Sequence, residues 1–165
     1  MTECAKMMGV NYNYSIYTTE GIDDELRLKE EDLNEVMKWI KKERVCIEDG
    51  PAVDTLHCSD GCGAGKYIVG IDSNGKVFPC HMFLGNKEFC LGDVLRQELK
   101  ELVEERDTLI SVDKKSECKH CDVRYMCGGG CAFRSYACKH KIKDKDPLCT
   151  LYKENIENIF CLLLK

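Results

Sequence analysis

Hydrophobic side chains recur at helical spacing in two separate stretches of the chain. In Lys29–Arg44 four apolar residues lie three or four positions apart: Leu33, Val36, Met37 and Ile40. After Asp146-Pro147 a longer set follows the same spacing: Leu148, Tyr152, Ile156, Ile159, Phe160 and Leu163. A repeat of about 3.6 residues is that of an amphipathic helix, and a capping residue followed by proline is a favoured helix start. The pattern predicts a helix in each stretch.

Other stretches have the residue types of β-strands. Asn11–Thr18 is rich in aromatic and β-branched residues, which predicts a buried strand. Tyr67–Asp72 and Lys76–Pro79 flank Asn74-Gly75, a pair that favours a hairpin turn because both residues tolerate a positive φ. The sequence therefore predicts a short β-hairpin that ends beside Cys80.

The chain changes character twice after the hairpin. Asp93 is expected to cap a helix with an apolar stripe formed by Leu95, Leu99, Leu102 and Val103. From Cys118 to Asp146 there is little periodicity, and this segment contains five cysteines and three consecutive glycines, Gly128–Gly130. An irregular segment of this length needs an organiser other than a hydrophobic core, and a metal would serve.

These elements predict an α+β fold, in which a short β-hairpin and helices are joined by long cysteine-rich loops that a metal organises. We expect two units, a strand–helix unit over residues 1–48 and a cysteine-rich unit over residues 49–165. Asp49–Pro51 marks the boundary between them.

Size and charge exclude several classes of protein. The chain has 165 residues, about one domain, and 44% of them are hydrophobic, which suffices for a core. Its terminal apolar run, Phe160–Leu164, is far shorter than the roughly 20 residues a bilayer requires. The formal net charge of −5 argues against nucleic acid as the main partner. Met1–Val10 lacks the apolar block of a secretory signal, so we expect a cytoplasmic protein with neither a membrane nor a nucleic-acid partner.

Cysteine is the unusual component, with 13 residues in the chain. An odd number excludes a fully paired disulfide framework, and thiols persist in a reducing cytoplasm. Spaced cysteines in that compartment bind metal or carry out redox chemistry more often than they form disulfides. A thiol–disulfide role for Cys118-x2-Cys121 lacks the βαβ context that would support it. The composition therefore favours metal binding.

The cysteine spacing suggests more than one metal centre. It reads Cys62-x12-Gly75-x4-Cys80, then Cys118-x2-Cys121-x5-Cys127-x3-Cys131, and then Cys149 after 17 more residues. Four thiolates per centre and eight available sulfurs suggest two centres, and all-thiolate ligation suits both zinc and iron–sulfur clusters. Iron–sulfur is favoured because the ligands must be gathered across some 70 residues, and a cubane accepts ligands from several loops. The nine Lys/Arg and five Asp/Glu of Asp113–Asp146, a net of +4, would offset an anionic cluster.

This pattern resembles the seven-cysteine signature of SPASM domains, the C-terminal auxiliary-cluster domains of radical S-adenosylmethionine (radical SAM) enzymes that mature peptides or proteins. The intervening residues also look like the family: Cys62-Gly-Ala-Gly, Ile71-Asp-Ser-Asn-Gly-Lys-Val-Phe-Pro-Cys80-His, Leu91-Gly-Asp and Cys127-Gly-Gly-Gly-Cys131. The resemblance covers Cys58 to Phe160. Upstream, Asn11–Arg44 looks like the closing β/α unit of the family's partial barrel.

The resemblance implies two 4Fe–4S clusters and assigns their ligands. The first cluster would take Cys62, Cys80 and Cys131, with Cys58 as the fourth ligand and Cys90 or Cys138 as substitutes for it. The second would take Cys118, Cys121, Cys127 and Cys149. Among the remaining cysteines, Cys4, Cys46 and Cys161 are expected to be small hydrophobic residues of the core. His57 and His81 adjoin ligands, and packing or surface roles are favoured for them over ligation.

The family's catalytic CxxxCxxC motif is missing: Gly65 follows Cys58-x3-Cys62 where a third cysteine would fall, and Arg134 follows Cys127-x3-Cys131. We therefore expect no S-adenosylmethionine cleavage by this chain alone, with that cofactor bound only in a separate core domain. The implied function is an auxiliary domain that supports electron transfer or binds a peptide substrate for a radical SAM catalytic core, in cis or in trans. A ferredoxin or flavodoxin could donate electrons. The alternative is a zinc-stapled, non-enzymatic module that binds a protein or peptide.

Overall fold

The computed structural model describes residues 2–10, 14–19, 25–43, 61–104 and 111–163. Three features discussed above lie outside the described residues: the boundary at Asp49–Pro51, the ligand candidate Cys58, and the pair Cys46 and His57. The division into units 1–48 and 49–165 stays a prediction.

Six helices and three short strands make up the regular structure of the described residues. The helices are α1 (Thr2–Met8), α2 (Leu33–Glu43), α3 (Leu99–Glu104), α4 (Arg124–Cys127), α5 (Ala132–Lys139) and α6 (Cys149–Leu163). The strands are β1 (Gly70–Ile71), β2 (Lys76–Phe78) and β3 (Gly92–Asp93). Single 3₁₀ turns occupy Glu30–Asp32, His81–Phe83, Lys87–Phe89 and Val112–Lys114. This combination confirms the predicted α+β class.

The three strands form one antiparallel sheet in the order β1-β2-β3. Gly70 pairs with Phe78 across the predicted hairpin, and Val77 of β2 pairs with Gly92 of β3. The sequence pattern predicted the hairpin but not β3, because a strand of two residues is too short to show an alternating pattern.

The hairpin turn differs from the expected one. Only Gly75 has a positive φ, +82°, whereas Asn74 does not. Asp72 organises the turn instead: its Oδ1 accepts hydrogen bonds from the backbone N–H of Asn74 at 2.8 Å and of Lys76 at 2.9 Å. A carboxylate that binds the amides of its own turn makes a left-handed Asn unnecessary.

Asp93 does not cap a helix, contrary to prediction. It ends β3, and its Oδ1 accepts from the backbone N–H of Leu95 at 2.9 Å, while its Oδ2 lies 3.1 Å from Lys76 Nζ. The helix starts only at Leu99, so Leu95 is 77% exposed and the predicted stripe is reduced chiefly to the buried Leu102. Asp93 therefore fastens the turn behind β3 to the hairpin.

The two strongly periodic stretches form helices, as predicted. Leu33 and Ile40 of α2 pack against Leu148, Tyr152 and Ile156 of the last stretch in one buried cluster. Phe160 of α6 is 41% exposed, outside this face. The strand predicted over Asn11–Thr18 is wrong for its described part, since residues 14–19 form no strand of two or more residues.

Two further hydrophobic clusters lie near the cysteines. Val77, Leu91 and Leu102 fill the space between the sheet and α3. Phe78, Phe83 and Phe133 form an aromatic cluster, against which the partly buried Cys80 and Cys131 pack. Within the described part of the chain, no helix is both long and apolar enough to span a bilayer.

Candidate metal centres

The described cysteines gather into two groups. We call Cys118, Cys121, Cys127 and Cys149 the Cys118 group. We call Cys62, Cys80 and Cys131 the Cys62 group.

The four cysteines of the Cys118 group line one open cavity. Burial, with a smaller contribution from the nearby Cys149 sulfur, raises the pKa of Cys127 to about 11. Burial likewise raises the pKa of Cys149, with a further contribution from the neighbouring Cys121. The CxxC turn, the end of α4 and the start of α6 thus bring four thiols to one place.

Cationic side chains surround this cavity. Arg124, Lys145 and Lys153 line it, and Lys153 donates a hydrogen bond to the sulfur of Cys121. The two acids on the wall are already occupied: Glu117 accepts from the backbone N–H of Lys145 at 3.3 Å, and Asp146 pairs with a buried arginine. A cavity with four thiols and three cations suits an anionic, thiolate-bound cluster.

The Cys62 group combines Cys62 with Cys80, which follows the hairpin, and Cys131, which precedes α5. Burial is the main cause that raises the pKa of Cys80, and the nearby Cys62 adds to it. Burial also raises the pKa of Cys131 to about 11, and Cys62 again contributes. Cys62 therefore lies close to both other sulfurs, although the hairpin and α5 are about 50 residues apart in the chain.

Backbone amides point at the sulfurs with a repeated spacing. The N–H groups of Met82 and Phe83 hydrogen-bond to Cys80, which is two and three residues before them. Gly129 and Gly130 bear the same relation to Cys127, and Arg134 does so to Cys131. Hydrogen bonds to ligand sulfurs stabilise thiolates and help to set the reduction potential of a bound cluster.

Two of these cysteines also sit where helices begin. Cys131 is the residue before α5, and Cys149 is the first residue of α6. The positive end of a helix dipole favours a thiolate. Because burial keeps the free thiols protonated, a metal must displace protons when it binds. Among the described residues, no three Cys, His, Asp or Glu side chains converge as tightly as a single metal ion needs.

A buried ion pair lies between the two groups. Arg134 and Asp146 are 4% and 1% exposed, and the guanidinium Nε is 3.0 Å from the carboxylate Oδ1. Gly130 passes so close to this pair that an added Cβ would lie 2.5 Å from the Asp146 Cβ. Gly130, the residue before Cys131, is therefore packed against the ion pair.

The remaining cysteines and histidines differ from expectation in part. Cys4 and Cys161 are exposed, so the prediction that they are core residues is wrong: both lie on the solvent side of their helices. Cys90 and Cys138 are half-buried. His81 and His120 are exposed, as a surface role requires.

Sequence reasoning missed three residues at these sites. Lys153 could have been found, because it lies four positions after Cys149 on one helix and so projects from the same face. Arg134 and Asp146 gave no such signal, since they are 12 residues apart and separated by irregular chain.

An α+β domain whose irregular half gathers two groups of buried or half-buried thiols has the features typical of the class of metal-organised domains. Residues 62–122 match the family model of SPASM, an iron–sulfur cluster-binding domain. This match over residues 62–122 confirms the resemblance seen in the cysteine spacing.

Two curated relatives share part of the sequence. An uncharacterized protein of Archaeoglobus fulgidus is 28% identical over 107 residues, which are 63% of this chain and 26% of that protein. The AdoMet-dependent heme synthase of Methanosarcina barkeri is 28% identical over 93 residues, 54% of this chain and 25% of that enzyme. The chain thus spans about a quarter of the length of these relatives.

Solved structures share the fold. Native anSMEcpe with bound AdoMet superposes with a TM-score of 0.58 and 21% identity, over 99% of this chain and 51% of that one. Native anSMEcpe with bound AdoMet and Cp18Cys peptide gives 0.57 and 23%, over 99% and 52%. The chain covers about half of these proteins, and at such identities the likeness concerns the fold.

Proposed function

We propose that this chain is an auxiliary domain that holds two 4Fe–4S clusters. The Cys118 group binds one cluster through its four sulfurs. The Cys62 group binds the other through its three sulfurs, with Cys58 as the fourth ligand. The observation that carries the proposal is the division of seven buried or half-buried thiols into two separate groups, each with backbone amides directed at its sulfurs.

The cavity of the Cys118 group favours a cluster over zinc. A zinc ion with Zn–S bonds of about 2.3 Å draws its four sulfurs to roughly 3.8 Å from one another and leaves no open space among them. Here the four cysteines line one open pocket together with Arg124, Lys145 and Lys153, and among the described residues no three potential ligands lie as close together as a single metal ion needs. This arrangement offers room and charge compensation for a larger, anionic group.

The domain would serve a radical SAM catalytic core, joined to it in cis or bound in trans. Bound clusters supply one-electron chemistry, and the protein sets their spacing, burial and hydrogen bonding. Two roles follow, namely electron transfer with a ferredoxin or flavodoxin as donor, and binding of a substrate peptide. The names of the similar proteins support this setting, since one is an AdoMet-dependent heme synthase and another is described with AdoMet and a peptide.

Metal analysis tests the proposal. Anaerobic reconstitution with iron and sulfide should load about eight irons per chain and produce broad absorption near 400 nm, as expected of two thiolate-bound cubanes. Two tightly bound zinc ions and iron near zero would overturn the proposal in favour of the zinc-stapled alternative.

A variant pair assigns the iron to the thiols. Cys121→Ala should remove the cluster of the Cys118 group and leave the other cluster partly assembled, so the iron content should fall to about four per chain or less. Cys161→Ala is the matched control, because Cys161 is exposed on the same helix as Cys149 and should leave the iron content unchanged. Equal iron loss in both variants would contradict the ligand assignment.

A further inference from the structure

The buried Arg134–Asp146 pair touches both cysteine groups through hydrogen bonds. Asp146 Oδ2 accepts from the backbone N–H of Cys131, in the Cys62 group, at 2.7 Å. Asp146 Oδ1 accepts from the backbone N–H of Leu148 at 2.8 Å, immediately before Cys149 of the Cys118 group. One carboxylate thus binds the backbone of Cys131 in one group and of the residue that precedes Cys149 in the other.

Arg134 fixes the position of this carboxylate. Its Nε lies 3.0 and 3.1 Å from the two carboxylate oxygens. Its Nη1 donates to Thr18 Oγ1 at 3.0 Å, and its Nη2 donates to the hydroxyl of Tyr152 on α6. The guanidinium therefore ties the carboxylate to α6 and to the segment that precedes α2.

The surroundings leave the pair little room to adjust. Gly130 packs directly on Asp146, and both charged side chains are at least 95% buried. Close-packed interiors transmit displacements rather than absorb them. When the backbone at Cys131 shifts, the carboxylate must shift as well, and with it the start of α6.

We propose that the Arg134–Asp146 pair is a positioning device that couples the two metal centres, so that filling one site promotes filling of the other. Neither residue is among the proposed ligands; both act through the backbone that carries Cys131 and Cys149. This inference rests on the proposed function, because it requires two loaded centres.

A double-mutant cycle measures the coupling. Cys80→Ala removes a ligand candidate from the Cys62 group. Cys80 is chosen over Cys131 because the ion pair binds the backbone of Cys131. Asp146→Asn removes the negative charge of the carboxylate and keeps the shape of the side chain. The four reconstituted proteins are wild type, each single variant and the double variant. The measured quantity is the fraction of the Cys118-group cluster that survives treatment with an iron chelator, and electron paramagnetic resonance of the reduced protein monitors it.

With Asp146 present, Cys80→Ala should weaken retention of the Cys118-group cluster about fivefold or more, a typical size for coupling between sites. In the Asp146→Asn background, Cys80→Ala should change retention by less than about twofold. The reduction potential of the Cys118-group cluster should likewise respond to Cys80→Ala only when Asp146 is intact. A general loss of stability would not produce this dependence.

Two controls separate coupling from structural damage. Glu154→Gln is the first control. Glu154 lies on α6, is more exposed than Asp146 and pairs with Lys41 of α2, so its neutralisation should leave the coupling intact. Arg134→Lys keeps the buried charge but loses the forked geometry, so it should reduce the coupling without abolishing it. If Asp146→Asn fails to fold, Arg134→Lys takes its place in the cycle.

Equal responses to Cys80→Ala with and without the intact pair would overturn this inference while leaving the proposed function in place. The inference would also be overturned if Cys80→Ala, with Asp146 intact, left the Cys118-group cluster unaffected. Wild-type protein that binds no iron would instead overturn the proposed function, and this inference with it.

Discussion

At the scale of single residues, charge close to the sulfurs distinguishes the Cys118 group. Lys153 is exposed, yet its pKa is raised because the sulfurs of Cys121 and Cys149 lie close to its ammonium group. Lys115 is 4% exposed and donates to the carbonyl oxygen of Gly129 at 2.9 Å, just beyond Cys127. These lysines supply positive charge where thiolate ligands would concentrate negative charge.

Lys153→Met should lower the reduction potential of the Cys118-group cluster, because the added electron loses a cation beside Cys121. An exposed charge contributes at most about 1 kcal/mol, and about 1.4 kcal/mol corresponds to roughly 60 mV for one electron, so the expected shift is about 20–40 mV. A redox titration monitored by electron paramagnetic resonance measures it.

Lys153→Arg should restore most of the potential, and Lys141→Met, an exposed lysine that does not line the cavity, should leave it unchanged. A Lys153→Met protein with the wild-type potential would show that the ammonium group lies too far from the cluster, or is too well solvated, to act on it.

At the scale of elements, the glycine run between α4 and α5 determines how the two groups meet. Gly128 ends α4 with φ +62°, and Gly129 and Gly130 continue with φ +85° and +73°. Three successive left-handed residues turn the chain sharply between Cys127, which belongs to the Cys118 group, and Cys131, which belongs to the Cys62 group. The eight-residue α5 was not predicted, because its apolar residues do not form the regular stripe of an amphipathic helix. They pack instead against the aromatic cluster.

Gly130→Ala should destabilise the protein by roughly 2–5 kcal/mol, because it combines left-handed strain with overlap against Asp146. It should also reduce iron loading of both groups. Urea denaturation and iron analysis provide the measurements.

Gly85→Ala is the matched control, since Gly85 has φ +83° and open space where its Cβ would lie. It should cost only the backbone strain, about 1–2 kcal/mol, and leave iron loading unchanged. If the two variants were equally stable, contact with Asp146 would not contribute.

At the scale of the whole molecule, two kinds of support hold the chain together. The α2–α6 contact and the sheet have hydrophobic cores of their own. The regular structure of residues 111–131 consists of a 3₁₀ turn and the four-residue α4. Several residues of this segment line the cavity that contains the thiols of the Cys118 group. The metal should therefore stabilise this part far more than the rest.

Removing the metal should expose this difference. Hydrogen exchange of metal-free protein should show rapid exchange over residues 111–131, while the amides of α2 and of the middle of α6 keep most of their protection. Loading with iron should restore the protection of residues 111–131. Identical protection in the two forms would show that packing alone supports this region.

Local patterns in the sequence predicted α2, α6 and the hairpin, because helical periodicity and turn residues act over a few positions. The cysteine spacing carried the resemblance to SPASM domains, because the order of cysteines and glycines can be read along the chain without knowledge of the fold. The left-handed Asn74 was predicted wrongly because the carboxylate of Asp72 organises the hairpin turn instead. The helix cap at Asp93 was predicted wrongly because its carboxylate binds the turn after β3 and Lys76 of the hairpin.

The sequence by itself determined the α+β class, the main helices and the abundance of thiols suited to metal, since each depends on composition or on neighbours in the chain. The family resemblance, and not the residue pattern alone, implied that Cys62 lies beside Cys80 and Cys131. Only the tertiary structure decided that Cys161 faces solvent and that Arg134 and Asp146 lie between the groups. These facts depend on contacts between distant segments, and no local pattern records which segments will meet once the cores have formed.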